Sequence, residues 1–242
     1  MARPDDLLRF YKTIAKLQET IGKNHTLENC HGRMNWPDKG VYFFLEPGEM
    51  RSNSHNTQRV VRVGTHALQE NAKSKLWNRL AQHKGTKSGG GNHRGSIFRL
   101  LVGVSIRATG KFKEVVSWGT GKSISDAANK CGLLRSQVSE SESLLEFAVS
   151  QYIRSLPLCW VSINDNSGPN SERAYIEKNS IALLSNYNKN PLNPPSNDWL
   201  GLKNNRNFVV SSGLWNNDFV EDEYDPDFLE RLDFHAKRTC QL

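Results

Sequence analysis

Arg79 and His83 stand four residues apart in the run LWNRLAQH. On a helix both side chains leave the same face. A guanidinium fork matches the non-bridging oxygens of a phosphate ester, and an imidazole takes and returns protons near neutrality. Side by side they suit a site that holds a phosphodiester and manages a proton. The surroundings have the same sign: between Lys73 and Lys113 the chain has ten Lys or Arg and no Asp or Glu. Within that stretch, Lys84 to Gly95 holds five glycines together with Lys84, Lys87, His93 and Arg94. It reads as a mobile basic loop, and clustered cations gain from counterion release beside a polyanion.

The elements that must position this pair follow from periodicity. Residues 67–83 read as the helix that carries it, with Leu76, Trp77 and Leu80 on the buried side. Residues 5–21 show helical spacing from Leu7 to Ile21, acids in the first turn and Gly22 as a stop. Residues 40–45 (GVYFFL), ended by Pro47-Gly48, and 59–63 (RVVRV), closed by Gly64, read as the strands of a hairpin, with 51–58 a polar loop. Ser96–Val104 fits a helix or a strand equally. Lys113–Trp118 and Leu158–Ile163 read as strands, and 140–154 and Ser171–Leu184 as helices, the latter capped by Ser171. Pro191–Asn197 is expected to end the core, followed by a strand at Phe208–Val210 and a short helix over 226–237. The sum is an α+β fold of about four strands and four or five helices.

Composition sets the outer limits. The chain has 242 residues and 32 Lys+Arg against 25 Asp+Glu, a net charge of +7. The excess is uneven: residues 1–190 carry +11 and residues 191–242 carry −4. No apolar run approaches the roughly 18 residues of a membrane span. The N-terminus has early acids and no apolar segment, unlike a signal peptide. Cys30, Cys131, Cys159 and Cys240 lie far apart without a CxxC, which points to free thiols of a reducing, cytoplasmic setting. Membrane, disulfide-rich, collagenous and coiled-coil classes are thereby disfavoured.

In their order along the chain, these pieces resemble the GIY-YIG nuclease superfamily. Gly40-Val41-Tyr42 stands where the family has GIY, and Arg62-Val63-Gly64 where it has YIG. A helix bearing Arg79 follows, and after a further strand comes a helix bearing Glu177 in AYIEKN. The resemblance covers roughly residues 38–190, leaving 1–37 as an N-terminal helical extension and 191–242 as an acidic C-terminal one. It implies a small mixed or antiparallel sheet flanked by helices. It also implies an endonuclease acting on DNA, RNA not being excluded, with Mg²⁺ or Mn²⁺ held by Glu177. The implied catalytic group is Tyr42, Arg79, His83 and Glu177. Substrate contacts are expected at Arg62, Thr65, His66 and Asn186, and the glycine-rich loop adds backbone-phosphate contacts from Lys84, Lys87, His93 and Arg94. Some restriction endonucleases of the superfamily carry an Arg and a His in a similar arrangement. Cutting two strands with one site per chain would favour a homodimer or sequential nicks.

The chain departs from the pattern at Arg62, which replaces the second motif tyrosine. That leaves Tyr42 or His83 as the proton acceptor, and Arg62 either at the phosphate or on the opposite strand face. It also motivates an alternative, a nucleic-acid-binding module with a decayed site. Glu172 competes with Glu177 as metal ligand, and Asn188 and Asn190 compete with Asn186. Other motifs read as structure. Gly119–Ser123 (GTGKS) has Val116 where a phosphate-binding loop needs Gly. Cys30-His31 with His25 lacks a second ligand pair. Trp77, Trp160, Trp199 and Trp215 are not expected to form a stacking series. The run 221–227 (EDEYDPD) reads as a solvated tail that folds on the basic core, so that deleting 191–242 would tighten DNA binding.

Overall fold

The computed structural model describes residues 2–21, 25–52 and 54–241. Helix α1 (Arg3–Ile21) buries Leu7, Phe10, Tyr11, Ile14 and Leu17 along one stripe. Gly22, the expected stop, lies outside the described residues. Strands β1 (Gly40–Arg51) and β2 (Ser54–Gly64) form an antiparallel hairpin with Tyr42 opposite Gly64 and Phe44 opposite Arg62. The hairpin is longer than expected: β2 takes up most of 51–58, and Pro47-Gly48 does not end β1. The register shifts between Leu45 and Met50, so Pro47 sits where the ladder is already broken and its missing N–H is not needed.

Helix α2 (Leu76–Lys84) is shorter than the expected 67–83. Ala67 and Asn71 adopt φ of 54° and 61°, left-handed values that a right-handed helix does not accommodate. A 3-10 turn at His93–Gly95 closes the glycine-rich loop, and α3 (Ile97–Ala108) follows. The ambiguity over 96–104 is resolved by Ser96, whose Oγ accepts the Arg99 N–H at 3.3 Å and caps the helix. Then come α4 (Ile124–Cys131), α5 (Arg135–Ser155), β3 (Leu158–Ser162) and α6 (Glu172–Leu184). Ser171 caps α6 through the Ala174 N–H, as expected. Helices α7 (Asn207–Ser212) and α8 (Phe228–Thr239) complete the chain.

Two expected strands are absent. Residues 113–118 form turns, entered from Phe112 at a left-handed φ of 57°. Residues 208–210 belong to α7.

The result is α+β: one antiparallel sheet in the order β2-β1-β3, with helices on both faces. Alternation along β1 explains its unbroken apolar sequence. Val41, Phe43 and Leu45 face a core with α1, α6 and α8, while Tyr42 and Phe44 face a second core with α2, α3 and α5. The core does not end at 191–197. Trp199, Val209 and Trp215 enter the second cluster, and Leu214, Val220, Phe228, Leu229 and Leu232 enter the first. The same segment covers the outer edge of β2. Trp215 N–H donates to the Val61 carbonyl at 2.7 Å. The Asn216 amide accepts from Val63 N–H at 3.1 Å and donates to its carbonyl at 2.9 Å. A side chain thus stands in for a fourth strand and blunts the edge.

Candidate active site

Tyr42, fully buried on β1, meets α2 through its hydroxyl, 2.8 Å from His83 Nε2. His83 Nδ1 lies 2.9 Å from Ser96 Oγ, the cap of α3. Ser96 Oγ accepts the Arg99 N–H and keeps a second lone pair, with which it can accept from Nδ1–H. The result is a buried chain, Tyr42–His83–Ser96, spanning one strand and two helices. It depends on Gly64 across the hairpin, where an added Cβ would overlap the Tyr42 hydroxyl. Burial holds the His83 imidazole well below its usual range, and Arg79, Arg62 and Arg99 push it in the same direction. His83 is therefore neutral at neutral pH.

Glu177 reaches this region from α6. Its Oε1 accepts the Thr65 N–H at 3.0 Å, just past Gly64. The residue as a whole is half-buried, but its carboxyl group is crowded by protein. Burial pushes the carboxyl up to about 7. Arg62, the Thr65 N–H and Arg79 pull it back, and Asp218 adds to the rise. Glu172, the competing acid, is held elsewhere: it pairs with Arg231 at 2.9 Å and His235 at 3.6 Å on α8.

Arg79 lies half-exposed at the rim, donating to Gln82 Oε1 at 3.0 Å and the Gly95 carbonyl at 3.2 Å. With Thr65, His66, Asn78 and Gln82 it lines an open pocket of about 300 Å³. Arg62 is on the Tyr42 face of the sheet, not the opposite one. It is buried, donates through Nη1 to the Trp215 carbonyl and lies 5.6 Å from the Phe98 ring, while its Nε has no partner. Among the described residues no carboxylate lies within ion-pair distance of Arg62 or Arg79, and no cation within that distance of Glu177. His66 Nε2 is 3.2 Å from the Asp38 carbonyl, and burial, with Arg173 next, lowers it to about 4.

Several expected substrate contacts are engaged elsewhere. Lys84 Nζ donates to the Glu28 and Cys30 carbonyls at 2.7 and 2.6 Å. His93 is buried, stacks on Trp118 with centroids 3.8 Å apart, and bonds Glu146 Oε1 through Nδ1 at 3.0 Å. Arg94 makes a two-pronged pair with Glu142, both contacts 2.7 Å. Acids of α5 thus neutralise the loop that looked uncompensated in sequence. Asn186 is buried away from Glu177, bonding Asn193, Ser212 and Leu192. Lys87 alone of the expected loop contacts is exposed.

Sequence reasoning passed over Gly64, Ser96, Gln82 and Asp218. For Gly64 and Ser96 a signal existed, one as a motif glycine and the other as a serine before an apolar helix. No two of Trp77, Trp160, Trp199 and Trp215 stack face to face among the described residues; the stacked pair involves Trp36. Trp36 and Trp77 stack at 5.1 Å and 24°, Trp36 lies 4.4 Å from Trp160, and Trp199 lies 5.0 Å from Trp215.

The donor set decides what metal fits. Among the described residues no group of three or more His, Cys, Asp or Glu converges. One half-buried carboxylate without an ion-pair partner suits a hard cation that takes few carboxylates and keeps most of its waters. Mg²⁺ or Mn²⁺ fits that description. No helix is long and apolar enough to cross a membrane among the described residues, and the four cysteines are free.

No curated protein and no solved structure matches the chain. A family profile described as GIY-YIG domain matches residues 1–241, which takes in both the N-terminal helix and the C-terminal segment. The chain belongs to the GIY-YIG domain family.

Proposed function

We propose that this protein is a divalent-metal-dependent endonuclease that hydrolyses phosphodiester bonds of DNA. Family membership supports nuclease chemistry in general. The observation that carries the finer reading is the 2.8 Å contact of Tyr42 with a neutral, buried His83, beside Arg79 and an unpaired Glu177.

Each residue has a role that follows from its surroundings. Arg79, at the rim, grips the non-bridging oxygens of the scissile phosphate. Glu177 would hold Mg²⁺ or Mn²⁺, which would supply charge neutralisation at the phosphate and Lewis acidity toward water. Tyr42 takes the proton of the attacking water as its own passes to His83 Nε2; the water oxygen bonds phosphorus as the bond to the leaving sugar oxygen breaks, and that oxygen takes a proton from solvent. The relay needs the Nδ1–H tautomer of His83, in which Nε2 is bare toward Tyr42 and Ser96 Oγ accepts from Nδ1–H. Protonation of His83 is opposed by burial and three nearby arginines in the free protein. A bound phosphate anion offsets the arginines, though not the burial, so the relay costs less once substrate is in place. Arg62 and the polar rim residues Thr65 and His66 line the path to the phosphate.

A plasmid-nicking assay with Mg²⁺ tests the reading, run beside Glu177→Ala and Arg79→Ala and a binding measurement. Nicking that both variants lose supports it. Salt-sensitive binding without nicking would instead favour a binding module with a decayed site, the reading that Arg62 motivates.

A further inference from the structure

Helices α4 and α5 form a unit outside the Tyr42–Glu177 group. Only Gly132, Leu133 and Leu134 join them. Gly132 takes a left-handed φ of 65°, and the Leu133 N–H closes on the Ala128 carbonyl at 3.0 Å, so α4 ends abruptly. The Leu134 N–H donates to Gln137 Oε1 at 2.8 Å, and α5 starts at once. Ala127, Ala128 and Val138 fill the angle between the two helices, with Leu133 beside them, in a small apolar cluster separate from the two sheet cores. Larger side chains in place of the alanines would hold the helices apart. Two helices joined by a short turn that contains glycine, and locked by apolar side chains in the elbow, are the parts of a helix-turn-helix. In that motif the second helix lies in the major groove of DNA and the first crosses the backbone.

The second helix is anchored at one end and free at the other. Leu145, Val149 and Ile153 of α5 are buried in the second core. Glu142 pairs with Arg94 at 2.7 Å, and Glu146 accepts from Arg99 Nε at 2.9 Å. Arg99 also donates to the His83 carbonyl at 2.8 Å, which ties α5 to the helix that carries the candidate active site. Arg135 lies about 16 Å along α5 from Glu146 at 1.5 Å per residue. Over that free end Arg135, Ser136, Gln137, Ser139 and Glu140 are exposed. Their types suit base edges: a guanidinium fork for guanine, a carboxylate for the amino group of cytosine, a hydroxyl for either. Gln137 spends its oxygen on Leu134 and keeps its N–H₂. Lys122, next to the Ser123 cap of α4, and Arg135 border a cleft of about 560 Å³ against the glycine-rich loop. Neither has a carboxylate within ion-pair distance among the described residues.

We infer that α4 and α5 are a helix-turn-helix that sets the N-terminal end of α5 in the major groove of duplex DNA and reads its sequence. Arg135, Ser136 and Glu140 meet base edges, and Lys122 and Gln137 meet the backbone. The inference rests on the nuclease reading and narrows its substrate class to double-stranded DNA of a particular sequence.

Selection by the full chain, in EDTA, from a pool of blunt DNA duplexes with a randomised centre tests this. Wild type is expected to enrich one sequence and to bind it about tenfold more tightly, or better, than a scrambled duplex of the same composition. Arg135→Ala and Glu140→Ala change exposed side chains, so each should melt as wild type does. Each should relax the choice of base at its own position by about tenfold. The absence of an enriched sequence would overturn the inference. So would an enriched sequence that both variants share with wild type at undiminished preference, or equal weakening of the enriched and scrambled duplexes by both variants. Plasmid nicking by wild type in Mg²⁺ is scored separately: nicking without an enriched sequence sinks the motif and spares the nuclease, and a sequence preference that the variants relax, without nicking, does the reverse.

Discussion

Glu177→Gln is expected to stabilise the metal-free protein, and to do so only at higher pH. The carboxyl has an ordinary value of 4.5 and is pushed up to about 7 by burial in the folded chain. The folded state thus holds the proton more tightly than the unfolded state does. The associated stability is fully present below about pH 4.5, declines as pH rises, and is gone above about pH 7. Each pH unit between the two values is worth about 1.4 kcal/mol, so the full displacement amounts to about 3 kcal/mol. Partial exposure of the side chain trims this to about 2–3 kcal/mol. Gln stays neutral throughout and keeps the oxygen that accepts the Thr65 N–H, so it escapes the loss. Urea unfolding in EDTA across about pH 4.5 to 8.5 measures the difference. Wild type and variant should be similar at the acid end, with the variant ahead by about 2–3 kcal/mol above pH 8. A pH-independent difference, or a variant that is less stable at pH 8, would refute the placement of Glu177 as a crowded, unpaired acid. Added Mg²⁺ should then raise the stability of wild type alone, by about 2.7 kcal/mol at a hundredfold excess over its Kd.

Other outcomes follow from the same geometry. Tyr42→Phe keeps the buried ring and removes the hydroxyl bonded to His83, so nicking should fall about 10²–10⁴-fold with melting little changed. Gly64→Ala should lower the melting temperature by several degrees and abolish nicking, because its Cβ meets the Tyr42 hydroxyl; Gly64→Ala with Tyr42→Phe should regain part of the lost stability. A chain ended at Asn190 should show no cooperative unfolding. It loses Trp199, Trp215, Phe228, Leu229 and Leu232 from the two cores, at roughly 1.5–3 kcal/mol each, against a typical margin of about 5–15 kcal/mol. Tighter DNA binding by a folded truncated chain would restore the simple view of 191–242 as a detachable acidic tail.

What the sequence revealed, and what it hid, has a physical pattern. Local devices were legible: the unbroken apolar run of β1, the Ser171 cap, the (i, i+4) pair on α2. So was the order Tyr42, Arg79, His83, Glu177, because each lies on an element whose type the local pattern fixes. Long-range neutralisation was not legible. Arg94 and His93 look free beside their glycines, yet their partners Glu142 and Glu146 lie about fifty residues downstream on α5. Lys113–Trp118 has β-branched residues, but no sheet edge receives it, and packing of Trp118 against His93 decides its shape. The acidic terminal segment looked separate because composition records charge and not burial. Its acids do meet cations of the core, as in Asp233 with Lys16 and Asp222 with Lys178, but on α1 and α6 and not on the basic loop.

Arg62 ties these points together. A tyrosine at that position would be neutral; an arginine adds a charge in a buried place that offers it one carbonyl, one ring face and no ion-paired carboxylate. Burial without a close ion pair is costly for a guanidinium, and the field of Glu177 is the nearest compensation. With Arg62 and Arg79 both cationic, His83 neutral and Glu177 titrating about 7, the mouth is positive before any metal arrives. Recognition of a phosphodiester therefore does not have to wait for the cation, whereas charge neutralisation during hydrolysis does. Nucleic-acid binding should persist in EDTA while nicking stops. Arg62→Tyr, which restores the family residue and removes one charge, should weaken EDTA-resistant binding more than binding in Mg²⁺. If chelation abolishes binding as well as cutting, the arginines do not hold the substrate, and the metal must be assigned that task too.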